Sequence, residues 1–118
     1  MKICQITHTE QGAVDVLALD GALDSYSFPR FDAALGKLRE GNRSRIVLDC
    51  ARLDYINSAA LGAVIGFARR AREDGGDLKL AGLSPKVLGI IDLLGFDKIL
   101  HILPDVPNAV TQFGSKAG

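Results

Sequence analysis

The feature of the sequence that most constrains the fold is its alternation between short apolar runs and helical segments. After two strand-like runs near the N-terminus, one helical stretch separates each strand from the next. Strands joined through a helix run parallel, because the helix returns the chain to the end of the sheet where it began. The sequence therefore predicts an α/β fold with a mixed, mostly parallel sheet of about five strands and about four helices. Its 118 residues suit one domain, residues 1–118, with residues 113–118 as a frayed tail.

Local signals place several of the element boundaries. The runs KICQITHT and AVDVLALDG flank a turn at Gly12, which predicts a β-hairpin. Pro29 suits the first turn of a helix, where its missing N–H costs nothing, and Gly41 suits the end of that helix. The compact run RIVLDC predicts a central strand. Further on, Ser84 followed by proline is typical of a helix start.

The longest helical segment is predicted over Ser58–Asp74 and contains two glycines, Gly62 and Gly66. A glycine inside a helix costs about 0.5–1 kcal/mol relative to alanine, so the pair requires a reason. Two explanations remain open: close packing of the helix on the sheet, or a flat surface on which a partner can lie. The stripe predicted to face the sheet consists of Leu61, Val64, Ile65 and Ala68.

Ser58 stands where the loop becomes this helix, and its hydroxyl admits three interpretations. As the N-cap it would stabilise the helix by roughly 1 kcal/mol. As a nucleophile it would need a base and a strained turn. As a modification site it would carry a phosphate that the helix N-terminus tolerates. The added charge of about −2 would alter the docking of a partner there.

The residues needed for catalysis are missing around Ser58. The nucleophile-elbow pattern G-x-S-x-G has Ile56 and Ala60 in place of its glycines, and His8 and His101 are both far from Ser58 in sequence. Phosphate-binding and dinucleotide-binding glycine motifs are absent. We expect neither an enzyme nor a cofactor. The dispersed aspartates predict no metal site; they are Asp20, Asp24, Asp49 and Asp54.

The net charge and the apolar content of the sequence limit the classes of partner that can be expected. Fourteen basic and fourteen acidic side chains cancel, so nothing favours binding to nucleic acid. No apolar run approaches the roughly 20 residues that span a bilayer, and the N-terminus lacks a signal-peptide core. We therefore expect a cytoplasmic protein without membrane insertion. Cys4 and Cys50 lack metal-ligand spacing and are interpreted as small core residues in a reducing compartment.

The segment IVLDCARLDYINSAALGAVIGFARRAREDGGDLKLAGLSPKVLGIIDLLGFDKIL resembles the core of a STAS domain, the fold of bacterial anti-sigma factor antagonists. The earlier segment LDGALD is similar to a G-x-L-D segment of that family, so the resemblance covers nearly the whole chain. In the family the turn reads D-S-S-G-L-G, and a partner anti-sigma factor that is also a serine kinase phosphorylates its first serine. The resemblance places that serine at Ser58. It also implies that the unphosphorylated form binds the partner and frees a sigma factor.

Three residues depart from the family turn: Asn57 replaces the aspartate, Ala59 the second serine and Ala60 the glycine. Losing the aspartate removes a carboxylate beside the acceptor, while an asparagine can still cap or hydrogen-bond. Binding could thus survive where efficient phosphorylation does not.

The favoured hypothesis is an anti-sigma factor antagonist, phosphorylated at Ser58, that controls transcription. Its partner, an anti-sigma factor and serine kinase, would bind a surface consisting of Asp24, Ser25, Asn57, Ser58, Ala59 and Gly62. The alternative is a non-phosphorylated assembly module with Ser58 as a cap, either a stress-signalling scaffold or a soluble subunit of a lipid-transport ATPase. A small enzyme or ligand-binding protein is the third hypothesis. The small-residue surface would also allow weak self-association into a homodimer.

Overall fold

A computed structural model describes residues 3–114 of the chain. Within this range the chain forms one five-stranded sheet and four α-helices, which confirms the predicted α/β fold. The elements in chain order are β1 (Gln5–Gln11), β2 (Val14–Leu23), α1 (Phe28–Glu40), β3 (Arg45–Ile56), α2 (Ser58–Glu73), β4 (Asp77–Ala81), α3 (Pro85–Leu93), β5 (His101–Leu103) and α4 (Val106–Phe113). A short 3-10 turn, Phe96–Lys98, precedes β5.

The strands lie in the order β1-β2-β3-β4-β5. β1 and β2 are antiparallel, as the hairpin prediction required, and Gly12 adopts a φ of +64° in the turn between them. All later pairs are parallel. The carboxyl ends of β2 and β3 therefore lie side by side, and the loops that follow these two strands emerge at the same edge of the sheet.

Helices cover both faces of the sheet but unequally. The main core lies between the sheet and α1, α2 and α3, and it buries Phe31, Leu48 and Leu61 completely. The predicted stripe of α2 is buried in this core, which confirms its assignment. On the other face α4 packs through Ala109 on a smaller cluster that includes Val47.

Lys79 in β4 is buried beneath α4, where its ammonium lies 4.8 Å from the centre of the Phe113 ring. The same ammonium donates to Asp77 at 3.1 Å, and Arg72 donates to the other carboxylate oxygen at 2.8 Å. Burial alone would raise the pKa of Asp77, but these hydrogen bonds and the positive charges outweigh it and lower that pKa. Phe113 lies in the segment predicted as a frayed tail, whose residues 115–118 are outside the described range.

Several boundaries agree with the sequence signals and one differs clearly. α3 begins as predicted, because the Ser84 hydroxyl accepts from the backbone N–H of Val87. β3 runs six residues beyond the predicted end at Cys50, because β2 continues to pair with it through two register shifts. Within residues 3–114, no helix combines the length and apolarity that crossing a membrane would require.

Cys4 and Cys50 are both buried and free, in agreement with their interpretation as core residues. Burial raises the pKa of the Cys50 thiol to about 12, and it also raises the pKa of Cys4. Both thiols are therefore protonated and unreactive at neutral pH.

Candidate functional site

The N-terminus of α2 is capped by Asn57, so the interpretation of Ser58 as the cap, one of the three left open by the sequence, is wrong. Asn57 has extended backbone angles, φ −91° and ψ 172°, and its Oδ1 accepts from the N–H of Ala60 at 2.9 Å. Its backbone carbonyl accepts from the N–H of Leu61 at 3.0 Å. Ser58 is already the first helical residue, because the extended geometry ends one position earlier.

The hydroxyl of Ser58 takes no part in holding the fold. The side chain is exposed and has no hydrogen-bond partner within residues 3–114. Asn57 satisfies the N–H groups of Ala60 and Leu61, which leaves those of Ser58 and Ala59 without an acceptor in the described part of the chain. Two free donors and the positive end of the helix dipole therefore lie beside an accessible hydroxyl.

A second loop lies against this helix start. The N–H of Asn57 donates to the carbonyl of Leu23 at 3.0 Å, which ties the end of β2 to the end of β3. Asp24 then closes a turn, because its Oδ1 accepts from the N–H groups of Tyr26 and Ser27 at 3.0 and 3.1 Å. The structure thus brings the predicted site residue Asp24 and its neighbouring loop next to the start of α2.

Ser27 and Tyr26 are parts of this loop that the sequence did not single out. Ser27 is buried, and its hydroxyl donates to the carbonyl of Ala22 and accepts from the N–H of Cys4. These hydrogen bonds anchor the base of the loop to the core. The residues at its tip remain in solvent: Ser25 is exposed, and Tyr26 is 84% exposed. An exposed tyrosine carries a large contact area, but in the sequence it is indistinguishable from a core aromatic residue.

The two glycines of α2 face solvent rather than the sheet. A Cβ built at Gly62 or at Gly66 would meet no other atom within 4 Å. Ala59 is also exposed and Ala63 is half-buried, so these four residues form one small-residue face along the first half of the helix. Close packing on the sheet, one of the two explanations left open by the sequence, is therefore wrong. The helix carries the glycines although the fold does not require them.

The groups that could support catalysis lie elsewhere. His8 in β1 contacts Asp15 at 2.7 Å, and His101 in β5 contacts Lys79 at 2.7 Å, so neither histidine pairs with Ser58. One group of metal-ligand type occurs in the described range: His8, Glu10 and Asp15 have donor atoms within 4.8 Å of one another. Arg43 already supplies positive charge there, since its Nε donates to Asp15 at 2.6 Å.

Comparison with known proteins supplies a family. The family model described as "Mlab, STAS domain" matches residues 6–104. BtrV of Bordetella bronchiseptica, named as an anti-sigma factor antagonist, is 33% identical over 98 residues, which are 83% of this chain and 84% of that protein. The matched regions in both comparisons include the turn at Ser58 and extend well beyond it in each direction.

Solved structures share the fold at lower identity. An anti-sigma factor antagonist from Mycobacterium paratuberculosis superposes with a TM-score of 0.84 at 19% identity, covering 92% of each chain. SpoIIAA, an anti-sigma factor antagonist, superposes in its unphosphorylated form with a TM-score of 0.77 at 20% identity, covering 92% of this chain and 95% of that one. The phosphorylated form of Bacillus SpoIIAA gives 0.68 at 20% identity, covering 92% and 97%.

Proposed function

The chain belongs to the STAS domain family, and on that premise we propose that it is an anti-sigma factor antagonist regulated by phosphorylation at Ser58. Its partner would be an anti-sigma factor that is also a serine kinase. The unphosphorylated protein would bind this partner, and the phosphorylated protein would release it. Control of sigma-factor release, and so of transcription, follows from that exchange.

The observation that carries the proposal is the unused hydroxyl of Ser58. Asn57 caps α2, so Ser58 contributes no hydrogen bond to the fold and remains exposed. A kinase can therefore reach the hydroxyl without opening any structure. The two forms of SpoIIAA, phosphorylated and unphosphorylated, are a precedent for this modification in a protein of the same fold.

A phosphate on Ser58 would be accommodated by this chain and rejected by a docked partner. The free N–H groups of Ser58 and Ala59 and the dipole of α2 stabilise a dianion at this position, so the domain stays folded. The adjoining face of Ala59 and Gly62 is uncharged and nearly free of side chains, which suits the close approach of a partner helix. A phosphate would introduce about two negative charges at the edge of this interface. Docking would then bury those charges away from water without a compensating partner, which destabilises the complex.

The direct test combines the protein with the serine-kinase anti-sigma factor of its own organism and ATP. Mass spectrometry should locate one phosphate at Ser58. Ser58→Ala should abolish it, whereas Ser25→Ala, which changes the exposed serine of the neighbouring loop, should retain it. Without ATP, Ser58→Asp should bind the kinase at least tenfold more weakly than the wild type. Phosphate found only at other residues, or undiminished binding by Ser58→Asp, would defeat the proposal.

A second candidate is a non-phosphorylated assembly module, and the geometry of Asn57 favours it. Asn57 replaces the aspartate that the STAS resemblance implies for this turn, and its Oδ1 is committed to the cap, so no carboxylate from this position assists phosphoryl transfer to Ser58. Such a module would serve as a stress-signalling scaffold or as the soluble subunit of a lipid-transport ATPase. It would be isolated from cells bound to its partner with Ser58 unmodified, and Ser58→Ala would bind normally.

A further inference from the structure

A groove of about 770 Å³ lies between α1 and the β1–β2 hairpin and shares no lining residue with the Ser58 surface. One end of it reaches Asp15, which pairs with Ile46 at the amino end of the parallel strands, whereas Ser58 follows their carboxyl ends. Buried Leu17 and Leu38 form an apolar floor. The volume falls within the range of small-molecule sites, about 300–1,000 Å³.

The α1 wall of the groove carries two unpaired cations. Arg30 and Lys37 are seven residues apart on one face of the helix, a separation of about 10.5 Å along its axis. Neither side chain has an ion pair within residues 3–114. Ala33 and Ala34 lie between them, so the wall is low there, and with half-buried Ile6 these alanines give the groove an accessible apolar surface beside both charges.

The two acidic groups at the hairpin end of the groove, Asp15 and Glu10, share one cation, Arg43. Asp15 is 1% exposed; its Oδ1 contacts His8 Nε2 at 2.7 Å and its Oδ2 accepts from Arg43 Nε at 2.6 Å. The Nη2 of Arg43 lies 3.6 Å from Glu10 and is buried without a hydrogen-bond partner. With His8 neutral, the groove lining therefore has a formal charge of +1, and its positive charge is concentrated on the α1 wall at Arg30 and Lys37.

We propose that this groove binds a small organic anion. The apolar body of the ligand would lie against Ile6, Ala33 and Ala34, and its phosphate or carboxylate would be held by Arg30 and Lys37. Arg30 and Lys37 supply long-reaching donors for such a group, and the floor excludes water from one side of the body. The site shares no residue with the Ser58 surface, so it stands or falls independently of the proposed function.

The test uses phenyl phosphate and benzoate as probes, titrated into the full chain and followed by amide chemical shifts in two-dimensional NMR. Either probe should shift the amides of Ile6, Ala33, Ala34 and Lys37 saturably. Inorganic phosphate, which lacks the body, and benzyl alcohol, which lacks the charge, should cause no saturable shift at the same concentrations. The double variant R30Q/K37Q should bind at least tenfold more weakly, and because both side chains are exposed its fold should be unchanged by circular dichroism.

The matched control is R69Q/R70Q, which removes the same charge from exposed positions of α2. If this control weakened probe binding as much as R30Q/K37Q does, the binding would be non-specific electrostatic attraction, and the proposal would be overturned. Saturable shifts centred on Ser58 would overturn it as well, as would the absence of saturable shifts up to the solubility limit of both probes. Tighter binding of an oligoglutamate peptide at the same amides would replace it with a peptide-docking site.

Discussion

Replacing Gly62 and Gly66 with alanine should make the domain more stable and yet weaken its binding to the proposed anti-sigma partner. Neither glycine has a positive φ, and an added Cβ at either position meets nothing within 4 Å. An exposed helical Gly→Ala change gains about 0.5–1 kcal/mol, so the double variant should gain about 1–2 kcal/mol in free energy of unfolding. Binding should weaken because the two added methyl groups would hold a docked partner helix away from the small-residue face.

Urea denaturation followed by circular dichroism measures the stability. With a denaturant dependence of about 2 kcal/mol per molar, the midpoint should rise by about 0.5–1 M. Titration calorimetry with the partner should show binding at least tenfold weaker. Gly36→Ala in α1 is the matched control, because a Cβ there also meets nothing within 4 Å. It should stabilise the domain by about 0.5–1 kcal/mol and leave binding unchanged.

Two different results would contradict this prediction. A double variant that is less stable than the wild type would mean that the face is packed in solution, and the exposed surface itself would be lost. A variant that is stabilised but binds the partner as the wild type does would leave the face exposed and remove its role in docking. A Gly76→Ala variant calibrates the assay, since its Cβ would collide with the backbone carbonyl of Ser44 and should destabilise the domain.

Three further outcomes are expected. Asn57→Ala should lose about 1 kcal/mol of stability in urea denaturation, whereas Ser58→Ala should change it by less than about 0.5 kcal/mol; equal losses would mean that Ser58 shares the cap. Asp77→Asn should lose about 1 kcal/mol at pH 7. Because the folded pKa of Asp77 is lowered, its contribution is complete above the unfolded value of about 3.9 and declines as the pH falls through the folded value, so the difference from wild type should shrink at pH 3; a difference that persists there would contradict the assignment. Finally, Cys50, with a pKa of about 12, and buried Cys4 should resist a thiol reagent at pH 8 in the folded protein and react fully in urea; rapid labelling of the folded protein would contradict their burial.

The elements of this fold were predictable wherever a local signal and the tertiary structure agree. Ser84 before a proline marked the start of α3, and Gly12 marked the hairpin turn. The end of β3 was missed because the residues after Cys50 do not alternate regularly. Their strand conformation comes from continued pairing with β2 across the register shifts, and sequence spacing carries no trace of that pairing.

The candidate site was predictable in position but not in its bonding. Asn57 and Ser58 are both good capping residues, and only the backbone angles decide which of them caps α2. The orientation of Gly62 likewise depends on how α2 is rotated against the sheet. The contacts of Asp15 with His8 and Arg43 join residues 7 and 28 positions apart, so the groove they close could not be derived from any local motif.

The division of labour between Asn57 and Ser58 has an evolutionary consequence. Because Asn57 caps α2, substitutions at Ser58 should cost the domain little folding stability. Descendants that have lost the Ser58 hydroxyl would therefore still fold. Under the function proposed above, such copies would bind their partner permanently, because no kinase could add the phosphate that releases it. Regulated and unregulated paralogues can thus arise from one another by a single codon change.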